Sequence, residues 1–290
     1  MRVDREQEST NVEDRRGMGG RVAVGGGIGA ILLVVVITLL GGDPGKLGDL
    51  LGGAGGGPAG GPSTQAPPSP EEEKLASFVK KVLKTTEDIW AAELPRMGKP
   101  YQQPKLVLFT GSVSSDCGNA SAAVGPFYCP ADQKLYIDLS FYEDLRRKLG
   151  APGDFAQAYV IAHEVGHHIQ WILGTSDEVN RQRQRLDKVA FNRVSVRLEL
   201  QADFYAGVWA HHAEKKGLLE MGDLEEAINA AEKIGDDHLQ KQAQGRVVPD
   251  SFTHGTSAQR MAWFRYGYQT GDPSKGDTFD DAVFARVNPR

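Results

Sequence analysis

The folded-looking part of this 290-residue chain has no run rich in lysine or arginine, and the formal net charge is −5. Binding phosphate needs a concentrated basic face, so nucleic acid is excluded as a partner. Internal repeats are also missing, which excludes a solenoid or array. Cysteine is nearly absent, with two residues, Cys117 and Cys129. Lying twelve positions apart among Gly, Pro and Asn, they can close a small loop in an oxidising compartment, and a disulfide is expected on condition of export. The competing reading is a pair of reduced thiols.

Charge is missing altogether from Val22 to Leu40. Nineteen residues at about 1.5 Å each match the hydrocarbon thickness of a bilayer, so this stretch is expected to be a single transmembrane helix. Arg15, Arg16 and Arg21 precede it and only Lys46 follows closely. That asymmetry predicts a cytoplasmic N-terminus and an extracytoplasmic remainder. No clear A-x-A site follows, so a retained anchor is favoured over a cleaved signal peptide. The glycines at 25–27 and 29 lack the strand, crossover helix and later acid of a dinucleotide-binding loop. Gly25 and Gly29 do form a GxxxG pair, the spacing of a dimer contact through the membrane helix.

Residues 1–21, with five arginines and five acids and no apolar period, read as a disordered cytoplasmic tail. Gly and Pro fill 17 of the 30 positions 41–70, the composition of a flexible linker spanning about 30 Å. The remaining residues, 71–290, form the expected folded domain. Leu75, Phe78, Val79, Val82, Ile89 and Trp90 recur at helical spacing up to Pro95. Residues 105–110 and 134–138 read as strands rich in branched and aromatic side chains. A helix of about eighteen residues is predicted from a capping box, Asp154 with Gln157, to a stop at Gly174. Further helices are predicted over 177–212, from a second capping box at Asp223 and Glu226, and between Gly255 and Gly271. The balance is α+β: helix-rich with a small sheet.

The chemistry sits in the helix that starts at Asp154, where the chain reads His163-Glu164-Val165-Gly166-His167. Residues four apart share a helix face, so the two imidazoles can bind one zinc ion while Glu164 reaches its water. Phe155, Ala158, Ala162, Val165, Ile169 and Ile172 make an adjacent apolar stripe, leaving the histidine edge to line a cleft. A chance HExxH on a solvated or core helix is the alternative. A catalytic zinc needs a third protein ligand and one open position. Gln170 and Leu173 stand where a metzincin has Gly and His, which excludes that arrangement. The next long helix offers Glu199 and Asp203, again four apart, among Leu198, Leu200, Ala202, Phe204, Tyr205, Val208 and Trp209. Two acids on a mostly apolar helix need a partner for their charge, and a metal site supplies one. Glu199 is therefore expected as third ligand, and Asp203 as the acceptor of the free ring N–H of His163.

The strings Cys117-Gly118, residues 125–132, residues 136–141, residues 163–170, residues 199–203 and His254 to Arg260 together resemble the neutral zinc metallopeptidase family of bacteria. The likeness covers most of residues 71–270. The HExxH-plus-Glu pattern is also similar to the gluzincins. The resemblance implies a zincin-like α+β domain, one zinc ion per chain and peptide or protein substrates.

The expected reaction is metal-assisted peptide hydrolysis with Glu164 as general base. His254, in a Gly-flanked turn within the family string, is a candidate to bond the oxyanion, set against a plain helix-start role. His168 points away from His167 and reads as a packing or supporting residue. His211 and His212 lie about 18 Å along a helix from Glu199 and read as surface residues. The strand 134–138 is a candidate to pair with extended substrate. A catalytically silent, membrane-tethered binding module is the competing class; a purely structural zinc site conflicts with a three-ligand set.

Overall fold

The computed structural model describes residues 1–17 and 68–289. The proposed anchor at 22–40, its GxxxG dimer contact and nearly all of the linker at 41–70 lie outside the described residues. Among the described residues no helix is long and apolar enough to cross a membrane.

The first seventeen residues are not the disordered tail expected from their charge. They contain strand β1 (Val12–Asp14), which joins a sheet in the domain. Helix α1 (Pro70–Glu93) follows, started by a capping box in which Ser69 and Glu72 satisfy one another's backbone N–H. Next come β2 (Lys105–Phe109), β3 (Ser112–Ser115), β4 (Gly118–Ser121), β5 (Phe127–Cys129) and β6 (Lys134–Asp138). The helical part comprises α2 (Ser140–Arg147), α3 (Asp154–Leu173), α4 (Thr175–Arg183), α5 (Lys188–Lys215), α6 (Asp223–Lys233), α7 (Asp236–Gln244), α8 (Ser257–Thr270) and α9 (Asp281–Val287).

The main sheet runs β1-β2-β6-β5, with β1, β2 and β6 parallel and β5 antiparallel at one edge. Strand β6 is therefore interior, with both ladders occupied, and cannot pair with substrate as its sequence suggested. Strand β5 holds the edge of the sheet next to it. The β3–β4 hairpin is a separate two-stranded ribbon. A Cys117–Cys129 disulfide ties its end to β5, the bridge expected from spacing.

The predicted helix over 177–212 is two helices, because Asp187 turns its carboxylate to the N–H of Ala190 and opens a new helix there. Neither acidic capping box forms. Glycines 153 and 222 hold the cap positions of α3 and α6 without side-chain hydrogen bonds. Asp154 and Asp223 instead hold the Met1 ammonium at 2.9 and 3.3 Å. Local pattern lost to a tertiary charge in both places.

The core lies between the sheet, α1, α3, α5 and α8. Phe155, Ala158, Ala162, Val165 and Ile169 are buried there as the apolar stripe of α3 predicts. Gly166 sets how closely α3 meets α5: a β-carbon there would lie 2.9 Å from the Ala202 carbonyl oxygen and 3.0 Å from its Cα. This close crossing puts the polar edge of α3 opposite Glu199 and Asp203.

Candidate metal centre

His163, Glu164 and His167 lie on α3, and Glu199 and Asp203 on the facing stretch of α5. His163 Nε2 is 3.2 Å from one Glu199 carboxylate oxygen, and His167 Nε2 is 3.6 Å from the other. Ligand atoms of all three residues fall within 4.8 Å of one another. A tetrahedral shell with bonds of about 2.0–2.1 Å separates neighbouring ligand atoms by about 3.3 Å, so this set fits zinc. Its chemistry fits as well, since each histidine has Nδ1 engaged elsewhere and Nε2 turned to the carboxylate.

Asp203, fully buried, accepts from His163 Nδ1 at 2.8 Å. The pairing of Asp203 with His163 is the one its position on the helix suggested. Tyr159 Oη donates to the same carboxylate at 2.5 Å, and Arg260 from α8 donates through Nε at 2.8 Å and Nη2 at 3.0 Å. Tyr159 and Arg260 were not legible as site residues. Arg260 ends the stretch His254 to Arg260, but nothing in sequence tells which acid it meets.

The charges set the proton affinities. Burial alone would raise the Asp203 carboxyl, yet the Arg260 and His163 charges bring it down to about 2. Glu199 is held well below the carboxylate range, with burial outweighed by His167 and His254. Burial would lower His163, but the Asp203 charge and the bonds to Asp203 and Glu199 lift it to about 9. His167 is raised in the same way by Glu199 against its burial. Glu164 goes the other way from its fellow carboxylates. Burial raises it, and the nearby histidine charges offset that only in part. A carboxyl raised in this manner takes up a proton more readily than an exposed one.

These residues open on a cleft of about 530 Å³. Its walls come from the β4–β5 segment (Val124 to Tyr128), Phe141, Val160, Phe191 and Leu198, and His254 lines it beside the metal group. Asp236 holds His254 in place. One carboxylate oxygen accepts the backbone N–H groups of Thr253, His254 and Gly255 at 2.7, 2.7 and 3.0 Å. The other accepts from His254 Nδ1 at 3.2 Å. Burial works against a proton on His254, but Glu199 and Asp236 together raise its affinity.

The other histidines divide. His168 is buried between the Tyr128 hydroxyl and the Gln102 carbonyl at 2.9 and 2.7 Å, and burial lowers it to about 4. Packing is its role, as expected. His211 and His212 are not surface residues but half-buried ones bonding the carbonyls of Tyr268 and Gly271, at 2.7 and 2.9 Å. They close the C-terminal end of α8. A second acidic group, Asp154, Asp223 and Glu226, is engaged by the Met1 ammonium and by the N–H of Phe155, which donates to Glu226 at 3.0 Å.

The chain is thus a helix-rich α+β domain in which two imidazoles and a carboxylate converge at a cleft as a group that could hold a metal ion. A sequence model of the family described as "Putative neutral zinc metallopeptidase" matches residues 1–279, and the chain belongs to that family. It is 51% identical over 290 residues to YpfJ, an uncharacterized protein of Escherichia coli strain K12, covering 98% of this chain and all of that protein. It is 44% identical over 205 residues to Rv2575, an uncharacterized protein of Mycobacterium tuberculosis strain H37Rv, covering 67% of each. No solved structure matches.

Proposed function

We propose that the chain hydrolyses peptide bonds in peptide or protein substrates, with one zinc ion held by His163, His167 and Glu199 in the manner of the gluzincins. The observation that carries this reading is the meeting of both histidine Nε2 atoms with the Glu199 carboxylate at 3.2 and 3.6 Å, beside a buried Glu164 at the cleft wall. When bound, zinc supplies a polarised carbonyl and a water whose pKa is lowered towards about 7.

The protein's own residues do the rest. Glu164 takes the proton of the attacking water as the new C–O bond forms, then passes it to the leaving amine as the C–N bond breaks. Its raised proton affinity matches both halves of that transfer. His254, fixed through Nδ1 by Asp236, offers Nε2 to the cleft, and in its protonated form donates there to the developing oxyanion. The free edge of β5, rather than β6, is the strand against which an extended substrate would lie.

Glu164→Gln tests the base directly. The variant should retain the zinc content of the wild type and lose about 10²–10⁴-fold in casein hydrolysis. Full activity in a zinc-replete Gln variant removes Glu164 from the mechanism. Absence of any chelator-sensitive hydrolysis by the wild type returns the domain to a binding role.

A further inference from the structure

The two histidines of the metal group are supported in different ways. His163 leans on a carboxylate, an acceptor that needs no orientation. His167 Nδ1 instead contacts the side-chain oxygen of Gln170 at 2.8 Å, one turn further along α3. An amide is a donor at one end and an acceptor at the other, so its orientation decides which nitrogen of the imidazole carries the proton. Gln170 is completely buried, so its protein neighbours set that orientation.

Two backbone carbonyls settle it. Gln170 Nε2 faces the Leu198 carbonyl at 2.6 Å and Gln201 Oε1 at 3.2 Å. Gln201, itself buried, faces the Gly276 carbonyl with its own Nε2 at 2.9 Å. A carbonyl oxygen only accepts, so each glutamine must present its nitrogen to the carbonyl beside it. Gln201 then has only Oε1 to offer Gln170, and Gln170 has only Oε1 to offer His167. Reversing either amide would set oxygen against oxygen in a buried place.

We propose that Gln170, with Gln201 behind it, is a positioning residue that fixes His167 with its proton on Nδ1 and its Nε2 lone pair aimed at the metal. The chain runs from the Gly276 carbonyl through Gln201 and Gln170 to the imidazole, and each link has one allowed direction. It rests on the metal-site reading above, and supplies for His167 what Asp203 supplies for His163. The support is neutral on one side and ionised on the other. His167 is thus the less basic of the two donors towards zinc.

The test is zinc affinity of the full chain, measured by competition with a chelator. Gln170→Leu, which keeps the volume and removes the acceptor, should weaken zinc binding about 10–100-fold. Gln201→Leu leaves Gln170 pinned by the Leu198 carbonyl, and its loss should stay below that of Gln170→Leu. A merely structural role would lower the melting temperature of the metal-free protein and leave the zinc affinity of the folded variant unchanged, and that result overturns the proposal. Should Gln170→Leu fail to fold, nitrogen-15 NMR of the zinc-loaded wild type decides. A slowly exchanging proton on His167 Nδ1 is expected, and metal attached to Nδ1 overturns it. A wild type that binds no zinc in the same titration refutes the metal site itself, which is a separate failure.

Discussion

Asp203 is the residue on which the metal group depends for its charge. It is fully buried, yet Arg260, Tyr159 and His163 all donate to it, so it stays ionised where burial would neutralise it. The consequence for His163 appears in the metal-free protein. Its proton affinity is raised from the ordinary value of 6.5 to about 9. A histidine raised on folding adds stability that is fully present below about pH 6.5 and is lost as pH rises through 9. The melting temperature of chelator-treated protein should therefore fall between these values. The zinc-loaded protein should lack this part of the fall, because a metal-bound nitrogen holds no proton. Thermal unfolding followed across pH 6–10 with and without zinc makes the comparison. Coinciding pH profiles, once the difference in melting temperature is subtracted, speak against the Asp203–His163 coupling. The histidine pair was legible because a four-residue spacing has one meaning on a helix. Asp203 followed from its spacing to Glu199. Arg260, Asp236 and Gln170 were not legible, since each is defined by a partner that only the folded chain brings near.

At the scale of elements, the metal group is a product of one helix crossing. Glu199 reaches the histidines because α3 and α5 approach with nothing but a hydrogen at Gly166 between them. Gly166→Ala should push a methyl group into the Ala202 backbone, 2.9 Å from its carbonyl oxygen. Overpacking of this kind costs about 1–3 kcal/mol, against a gain of about 1 kcal/mol from alanine's helix propensity. A net loss is expected, together with weaker zinc binding as Glu199 moves away. Denaturant unfolding and metal titration of the variant read the two effects. Unchanged zinc affinity would mean that α5 yields elsewhere and that Gly166 does not set the site. The apolar-periodic helices α1 and α3 stood out in the sequence with nearly their observed ends, and α8 was bounded by its flanking Gly255 and Gly271. The break before Asp187 did not, because residues that favour helix, Gln184, Arg185 and Leu186, fill the turn that the backbone makes there. The short strands β1, β3, β4 and β5 were hidden for a related reason. Three or four residues carry too little alternation to outweigh the polar composition around them.

At the scale of the whole molecule, the first seventeen residues change what can be expected of the chain's placement. The Ser9 hydroxyl and the Asn11 amide donate to the buried Glu87 of α1, at 2.6 and 2.9 Å. The Leu106 N–H donates to the Asn11 carbonyl, and the Arg15 N–H to that of Leu108, so the segment is bonded to β2 on both sides of β1. Arg16 then pairs with Glu73 at 2.8 Å, in the first turn of α1. Arg16 and Ser69 thus both meet the first turn of the same helix. A single crossing at 22–40 would put β1 and β2 on opposite faces of a bilayer, and a ladder of backbone hydrogen bonds cannot form across about 30 Å of hydrocarbon. The packed N-terminal segment therefore argues against the topology suggested by the arginines before Val22. Residues 1–17 and the metal group should share one compartment. Single cysteines at Gln7 and at Arg193, both exposed, can be probed in intact cells with a membrane-impermeant maleimide, counted above the background of the native cysteines. The two positions should react together or be protected together. Labelling at one and protection at the other would restore the single crossing and mean that β1 does not pair with β2 in the cell.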